Sequence, residues 1–183
     1  MDIPFSDTRT LAVTRVVVEL ERHVAADGWD APIRIFALVR TAGALERDPS
    51  LTDRLPADVL AAAEADSDHL TAVEQEGLPE AETLHDLLGQ LAWPDSVDGA
   101  AVVVERSVIP PEVEAQLPKD ENEALAWLQA HPDRRDVRLA AATLRGGEHS
   151  VALRARDHDA DDQVAVGPEL APGLVAAVAA TLA

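Results

Sequence analysis

Cysteine is absent from this chain of 183 residues. That excludes disulfides and thiolate metal sites, and it fits a reducing compartment. Lysine is nearly absent too, with Lys119 alone beside fourteen arginines; together with the abundant alanine this hints at a GC-rich genome. Positive charge is scarce overall. There are 15 basic residues against 34 acidic ones, for a formal net charge of -19. Nucleic acids and anionic membranes select a basic footprint, so neither is an expected partner. The five aromatic residues, Phe5, Trp29, Phe36, Trp93 and Trp127, are too few for a base-stacking platform. The tryptophans are expected to anchor the core at element ends. No apolar run reaches the roughly 18 residues that a membrane span needs. The N-terminal MDIPFSDTRT has neither a basic nor an apolar signal region, and a cytoplasmic location is expected.

Catalytic signatures are missing as well. The chain has no GxSxG elbow, no P-loop, no GxGxxG and no HExxH. Histidines at 23, 69, 85, 131, 149 and 158 show no paired ligand spacing. Glu82-x-x-His85 is a single ExxH, whereas a carboxylate-bridged di-iron centre needs two with further glutamates. Asp66-Ser67-Asp68 is a DxD of the kind an acid-rich chain produces by chance. Asp157-His158-Asp159-Ala160-Asp161-Asp162 places carboxylates Asp157, Asp159 and Asp161 at alternate positions, like the start of a calcium loop. An EF-hand wants Gly where Asp162 stands and a bidentate Glu where Pro168 stands. An exposed acidic turn is the simpler reading, and no cofactor is expected.

A chain of this length can bury roughly 70% of its unfolded surface without a metal or disulfide. One domain over residues 1–183 is expected. Val13, Val16, Val17, Leu20 and Val24 recur at helical spacing behind a cap at Ser6 or Asp7, with Gly28 beyond the end. Residues 33–39 read as a strand. Residues 42–65 form a helical insertion cut by Pro49 and Pro56. A short strand follows at 69–75, then a helix opening at Pro79 and carrying Leu84, Leu87, Leu88 and Leu91. Asp98-Gly99 turns into an apolar run, 100–105, of central-strand character. Asp120 or Asn122 caps a helix with Leu125, Trp127 and Leu128, which His131-Pro132 ends. Residues 137–144 and 149–156 flank Gly146-Gly147 as a hairpin. A short strand at 164–166 and a last helix through Leu170, Leu174, Val178 and Leu182 complete the chain. The class is α+β: a mainly antiparallel sheet of about five or six strands, with helices packed largely on one face.

Charge is uneven along the chain. Residues 46–86 carry twelve acids and two arginines, net -10, whereas residues 131–156 carry three acids and six arginines, net +3. Strand alternation sets Arg154 and Arg156 on one face of the hairpin, Arg138 on the matching face of its partner, and Arg34 opposite in phase to Ile33 and Ile35. If these strands share a sheet, Arg34, Arg138, Arg154 and Arg156 line an open face that would take an acidic peptide or small anion. The competing reading is that the chain's own carboxylates neutralise them.

Two resemblances accompany these readings. Arg34-Ile35-Phe36-Ala37-Leu38-Val39, Leu70-Thr71-Ala72-Val73-Glu74-Gln75-Glu76, Trp93-Pro94-Asp95-Ser96-Val97-Asp98-Gly99 and Gly167-Pro168-Glu169-Leu170-Ala171-Pro172-Gly173-Leu174 resemble a conserved actinobacterial family of uncharacterised proteins over the full length. Without the inserted helices, the element order is similar to that of type III secretion chaperones, which implies an acidic, dimeric binder of other proteins. The leading expectation is a non-enzymatic protein-binding module, dimeric and chaperone-like or an adaptor, whose partner is another protein or itself. The alternatives are an enzyme with a carboxylate and arginine active site, and a calcium-responsive protein.

Overall fold

Residues 8–183 are described by a computed structural model. Helix α1 (Thr8–Ala25) buries Val13, Val16, Val17, Leu20 and Val24 along one stripe. Its expected caps, Ser6 and Asp7, lie outside the described residues. Past its end Gly28 takes φ +85°, a left-handed conformation that costs little only without a Cβ. Strand β1 (Arg34–Arg40) follows. The expected helical segment holds α2 (Thr41–Arg47), a 3-10 turn over Pro49–Asp53, and α3 (Ala57–Ala65), broken where the prolines stand. Then come β2 (Leu70–Glu74) and α4 (Leu84–Gly89). The fourth helix starts later than Pro79 suggests. Thr83 Oγ1 accepts from the Asp86 N–H at 3.1 Å, and this cap sets the first turn. Residues 76–83 stay non-helical ahead of it.

Strand β3 (Gly99–Val108) leads into α5 (Pro111–Glu114) and α6 (Glu121–Ala130), whose Asp120 cap accepts from the Asn122 and Glu123 N–H groups. The hairpin is β4 (Arg135–Leu144) and β5 (His149–Ala155). Strand β6 (Ala165–Gly167) and helix α7 (Pro172–Ala180) end the chain. The sheet runs β2-β1-β3-β4-β5-β6, and every neighbouring pair is antiparallel. At its centre β3 and β4 pair over ten positions, from Gly99 against Leu144 to Val108 against Arg135.

Both faces of this sheet are apolar, so helices cover both rather than largely one. Phe36, Leu38, Ala101, Val103, Ala140 and Ala142 pack beneath α1. Ile35, Val102, Val104, Leu139, Ala141 and Val151 point the other way, against α4 and α7. A continuous apolar run such as Ala100–Val104 is the mark of a strand buried on two sides. Burial of these alternating sets, at roughly 25 cal/mol per Å² of apolar surface, is the main force holding the layers together.

Candidate functional site

The arginines singled out by strand alternation do converge, but under a helix. Arg138 and Arg154 are opposite one another in the β4–β5 register, and α1 lies over them. Glu21, on the sheet-facing side of α1, is 1% exposed; Arg138 is 0% and Arg154 3% exposed. Arg154 grips Glu21 with both arms of its fork, Nε to Oε1 at 2.6 Å and Nη2 to Oε2 at 2.8 Å. Arg138 reaches the same Oε1 at 3.4 Å and donates to Glu105 Oε1 at 3.1 Å. It also donates to the Gly28 carbonyl and stacks over Trp29, 4.3 Å from the ring centre. Of the open arginine face expected here, Arg138 and Arg154 are therefore covered by α1, while Arg156 stays partly exposed.

Outer carboxylates complete the cluster. Arg154 donates to Asp159 at 3.1 Å and to Asp161 at 2.6 Å. Trp29 Nε1 donates to the other oxygen of Asp159 at 2.9 Å. These bonds hold the Asp159 carboxyl below the ordinary carboxylate range, the indole N–H contributing most and Arg154 next. Arg154 depresses Asp161 in the same way, while Glu21 and the two aspartates push the Arg154 guanidinium above its usual value. Arg156 forms a two-armed pair with Asp30 at 2.9 and 3.0 Å and lies 5.4 Å from the Trp29 ring centre. Arg34 is taken by Glu74 at 2.7 Å and Asp27 at 2.9 Å. All four arginines thus face carboxylates of this chain.

Two of the three calcium-loop candidates belong to the same network. Asp159 and Asp161 face Arg154, and Asp157 pairs with His158 at 3.0 Å. Among the described residues no group of three or more His, Asp or Glu side chains is placed to share an ion. A polar recess of about 180 Å³ opens nearby, lined by Trp29, Asp30, Glu105, Arg106, Arg134 and Arg156 among others. Glu21, Arg138 and Arg154 are not part of its lining and are out of reach of solvent.

A different surface is open at the other end of the sheet. Helix α7 packs over β3, β4 and β5, and toward the β1–β2 end of that face the residues from 75 to 79 and from 91 to 97 border a groove. Ala37, Val39 and Val73 floor this groove of about 420 Å³, walled by Leu78, Leu91 and Trp93. Val73 is 48% exposed. The far wall is held firmly. Trp93 Nε1 donates to Thr181 Oγ1 at 2.9 Å. Arg145, from the hairpin turn, donates to the carbonyls of Val97 at 2.8 Å, Leu182 at 2.6 Å, Trp93 at 3.1 Å and Pro94 at 3.2 Å. On the opposite face a second recess of about 340 Å³ lies between α1, α3 and β2, with Leu20, Phe36, Val59, Leu70 and Ala72 in its lining and Glu19 and Glu74 beside them.

Residues 13–183 match the family described as PPA1309-like protein. The chain belongs to the PPA1309-like protein family. Comparison with curated proteins and with solved structures finds no match in either. Among the described residues of this PPA1309-like protein, no helix is long and apolar enough to cross a membrane.

Two features of this family member escaped sequence reasoning. The groove is assembled from β1, β2, the 75–79 segment and the 91–97 segment, so no single stretch announces it. Arg145 read as one more hairpin arginine, yet its guanidinium ends on four backbone carbonyls rather than on an acid. The signal available was its place, next to the turn glycines and in the wrong phase to join Arg138 and Arg154.

Proposed function

We propose that this protein is a protein-binding module, an adaptor or chaperone-like binder working in the actinobacterial cytoplasm. The groove over Ala37, Val39 and Val73 carries the reading. Val73 stands half exposed among half-buried Val39, Leu78, Leu91 and Trp93, and an apolar recess rimmed by polar residues is the kind of surface that takes a partner. The supporting feature is the rigidity of its wall. With Arg145 and Trp93 tying the 93–97 segment to the C-terminal turn, little ordering remains to oppose a partner's arrival. The arginine cluster, by contrast, is internally matched and supports a role in holding α1 and the Gly28–Asp30 loop to the sheet.

The test is capture from a native lysate, read by quantitative mass spectrometry, with the wild-type protein and a Val73→Gln variant side by side. Val73 is half exposed, so the substitution leaves the core alone. A reproducible partner held by the wild type and depleted at least about tenfold by V73Q, a loss of about 1.4 kcal/mol in affinity, supports the reading. Equal capture by both proteins, or none by either, overturns it.

A further inference from the structure

We propose that the partner is a basic, extended segment of another protein that joins the sheet at the free edge of β2. The inference rests on the protein-binding reading above and gives it a chemistry.

The backbone supplies the first argument. Thr41 N–H donates to His69 O at 2.9 Å and Gln75 N–H to Ile35 O at 2.8 Å. Within the β1–β2 ladder, the odd-numbered residues from 69 to 75 therefore bond inward, and Leu70, Ala72 and Glu74 turn their N–H and C=O groups outward. Strand β2 ends the sheet order. Among the described residues no loop or turn backbone group bonds to those three. An edge like this is a template for an added strand, in which main-chain bonds give affinity and side-chain pockets give selectivity.

The side chains supply the second. The two recesses flank this strand, Val73 contributing to one on the α4/α7 face and Leu70 and Ala72 to the other on the α1 face. Successive side chains of an added strand point to opposite faces. Apolar residues at neighbouring positions of that strand would thus meet a recess on either side.

Charge chooses the occupant. The segment from 46 to 86, which contains β2 and its flanks, carries net -10. Glu76 lines the groove, and Glu80, Glu82 and Asp95 are exposed on the segments beside it. Arg34 offsets Glu74 and Arg15 faces Asp66, but a second copy of this chain would still bring the same acidic excess to this edge, and like charges directly opposed disfavour pairing. A segment bearing arginine or lysine between its apolar residues meets the opposite sign and is steered toward it.

The experiment uses the full-length protein and a fluorescein-labelled peptide of alternating valine pairs and arginine pairs, about ten residues long, enough to span an ordinary strand and to present valine and arginine on both its faces. Fluorescence anisotropy should show saturable binding that weakens at least about tenfold when glutamate replaces arginine. Two N-methylated peptides, one for each alternate register, separate strand pairing from plain charge attraction. Strand addition requires that one register lose binding at least about tenfold and the other keep it, because only one set of N–H groups faces β2. Equal behaviour of the two overturns the proposal. Ala72→Pro removes an outward N–H where an edge strand tolerates proline, and it should lower affinity as the N-methyl group does. Should sedimentation show a dimer that Ala72→Pro dissolves, the edge belongs to a second copy and the proposal falls. Failure of the peptide alongside Val73-dependent lysate capture overturns the basic-strand inference alone. Failure of both removes the binding reading as well.

Discussion

At the scale of single residues, the arginine cluster illustrates how much depends on one acid. Glu21 lies between Arg138 and Arg154 with all three side chains buried. A buried ion pair gains little net stability, because desolvating the charges offsets their attraction, but removing one partner strands the others. Glu21→Ala leaves two guanidiniums under α1 with their central acceptor gone. The expected cost is about 3–5 kcal/mol, read as a fall in the urea midpoint with the slope unchanged. The triple variant Glu21→Leu, Arg138→Leu, Arg154→Met should be less damaging than E21A alone, since no charge is left unmatched. A triple variant more unstable than the single one would show that the network contributes net stability of its own. Sequence alternation found Arg138 and Arg154 on one face, as the β4–β5 register has them. It could not show Glu21 above them, because a helix position more than a hundred residues away carries no local signal of which strand it covers.

At the scale of elements, two glycines test opposite consequences of packing. Gly99 opens β3, and a Cβ there would fall 2.5 Å from the Thr143 carbonyl oxygen and 2.6 Å from Leu144 Cδ2. A backbone oxygen in the central β3–β4 ladder cannot move aside without disturbing the ladder. Gly99→Ala should destabilise by about 1–3 kcal/mol, the usual range for overpacking. Gly173 sits in the first turn of α7 with nothing within 4 Å of its would-be Cβ. There Gly→Ala should stabilise by about 0.4–1 kcal/mol by limiting the unfolded chain. Thermal or urea unfolding of the two variants reads opposite signs from one chemical change. The elements themselves were legible wherever a local pattern decides them. The Val13-to-Val24 spacing gave α1, Asp98-Gly99 marked the start of β3, and Gly146-Gly147 marked the hairpin. The start of α4 was less so: Pro79 pointed to an earlier opening, and the Thr83 cap, accepting from the Asp86 N–H, sets the first turn instead. Layering was hidden for a related reason. The apolar run of β3 called for cover on both faces, but which helix supplies each side depends on long-range packing.

At the scale of the whole molecule, the excess of 19 negative charges acts on folding and on binding with opposite signs. In the folded state the acids are held closer together than in the unfolded chain, so their mutual repulsion opposes compaction. The arginines relieve this mostly around α1 and the hairpin; of the acids in the 46–86 region, which counts net -10 by sequence, Glu74 is met by Arg34 and Asp66 by Arg15. Raising salt from about 20 to 300 mM shortens the Debye length from roughly 20 Å to 6 Å. Repulsion among the exposed acids is then screened, while the buried Glu21 pairs are screened much less. The thermal midpoint should rise, by about 2–4 °C for each kcal/mol recovered in a chain of this size. Attraction between the β2 edge and a basic peptide is screened by the same ions, so its affinity should fall over the same range. One salt series followed by calorimetry and by anisotropy measures both. A midpoint that falls with salt would mean that exposed ion pairs such as Arg156 with Asp30 outweigh the repulsion. A peptide affinity indifferent to salt would mean that the apolar recesses, and not the acidic rim, select the partner.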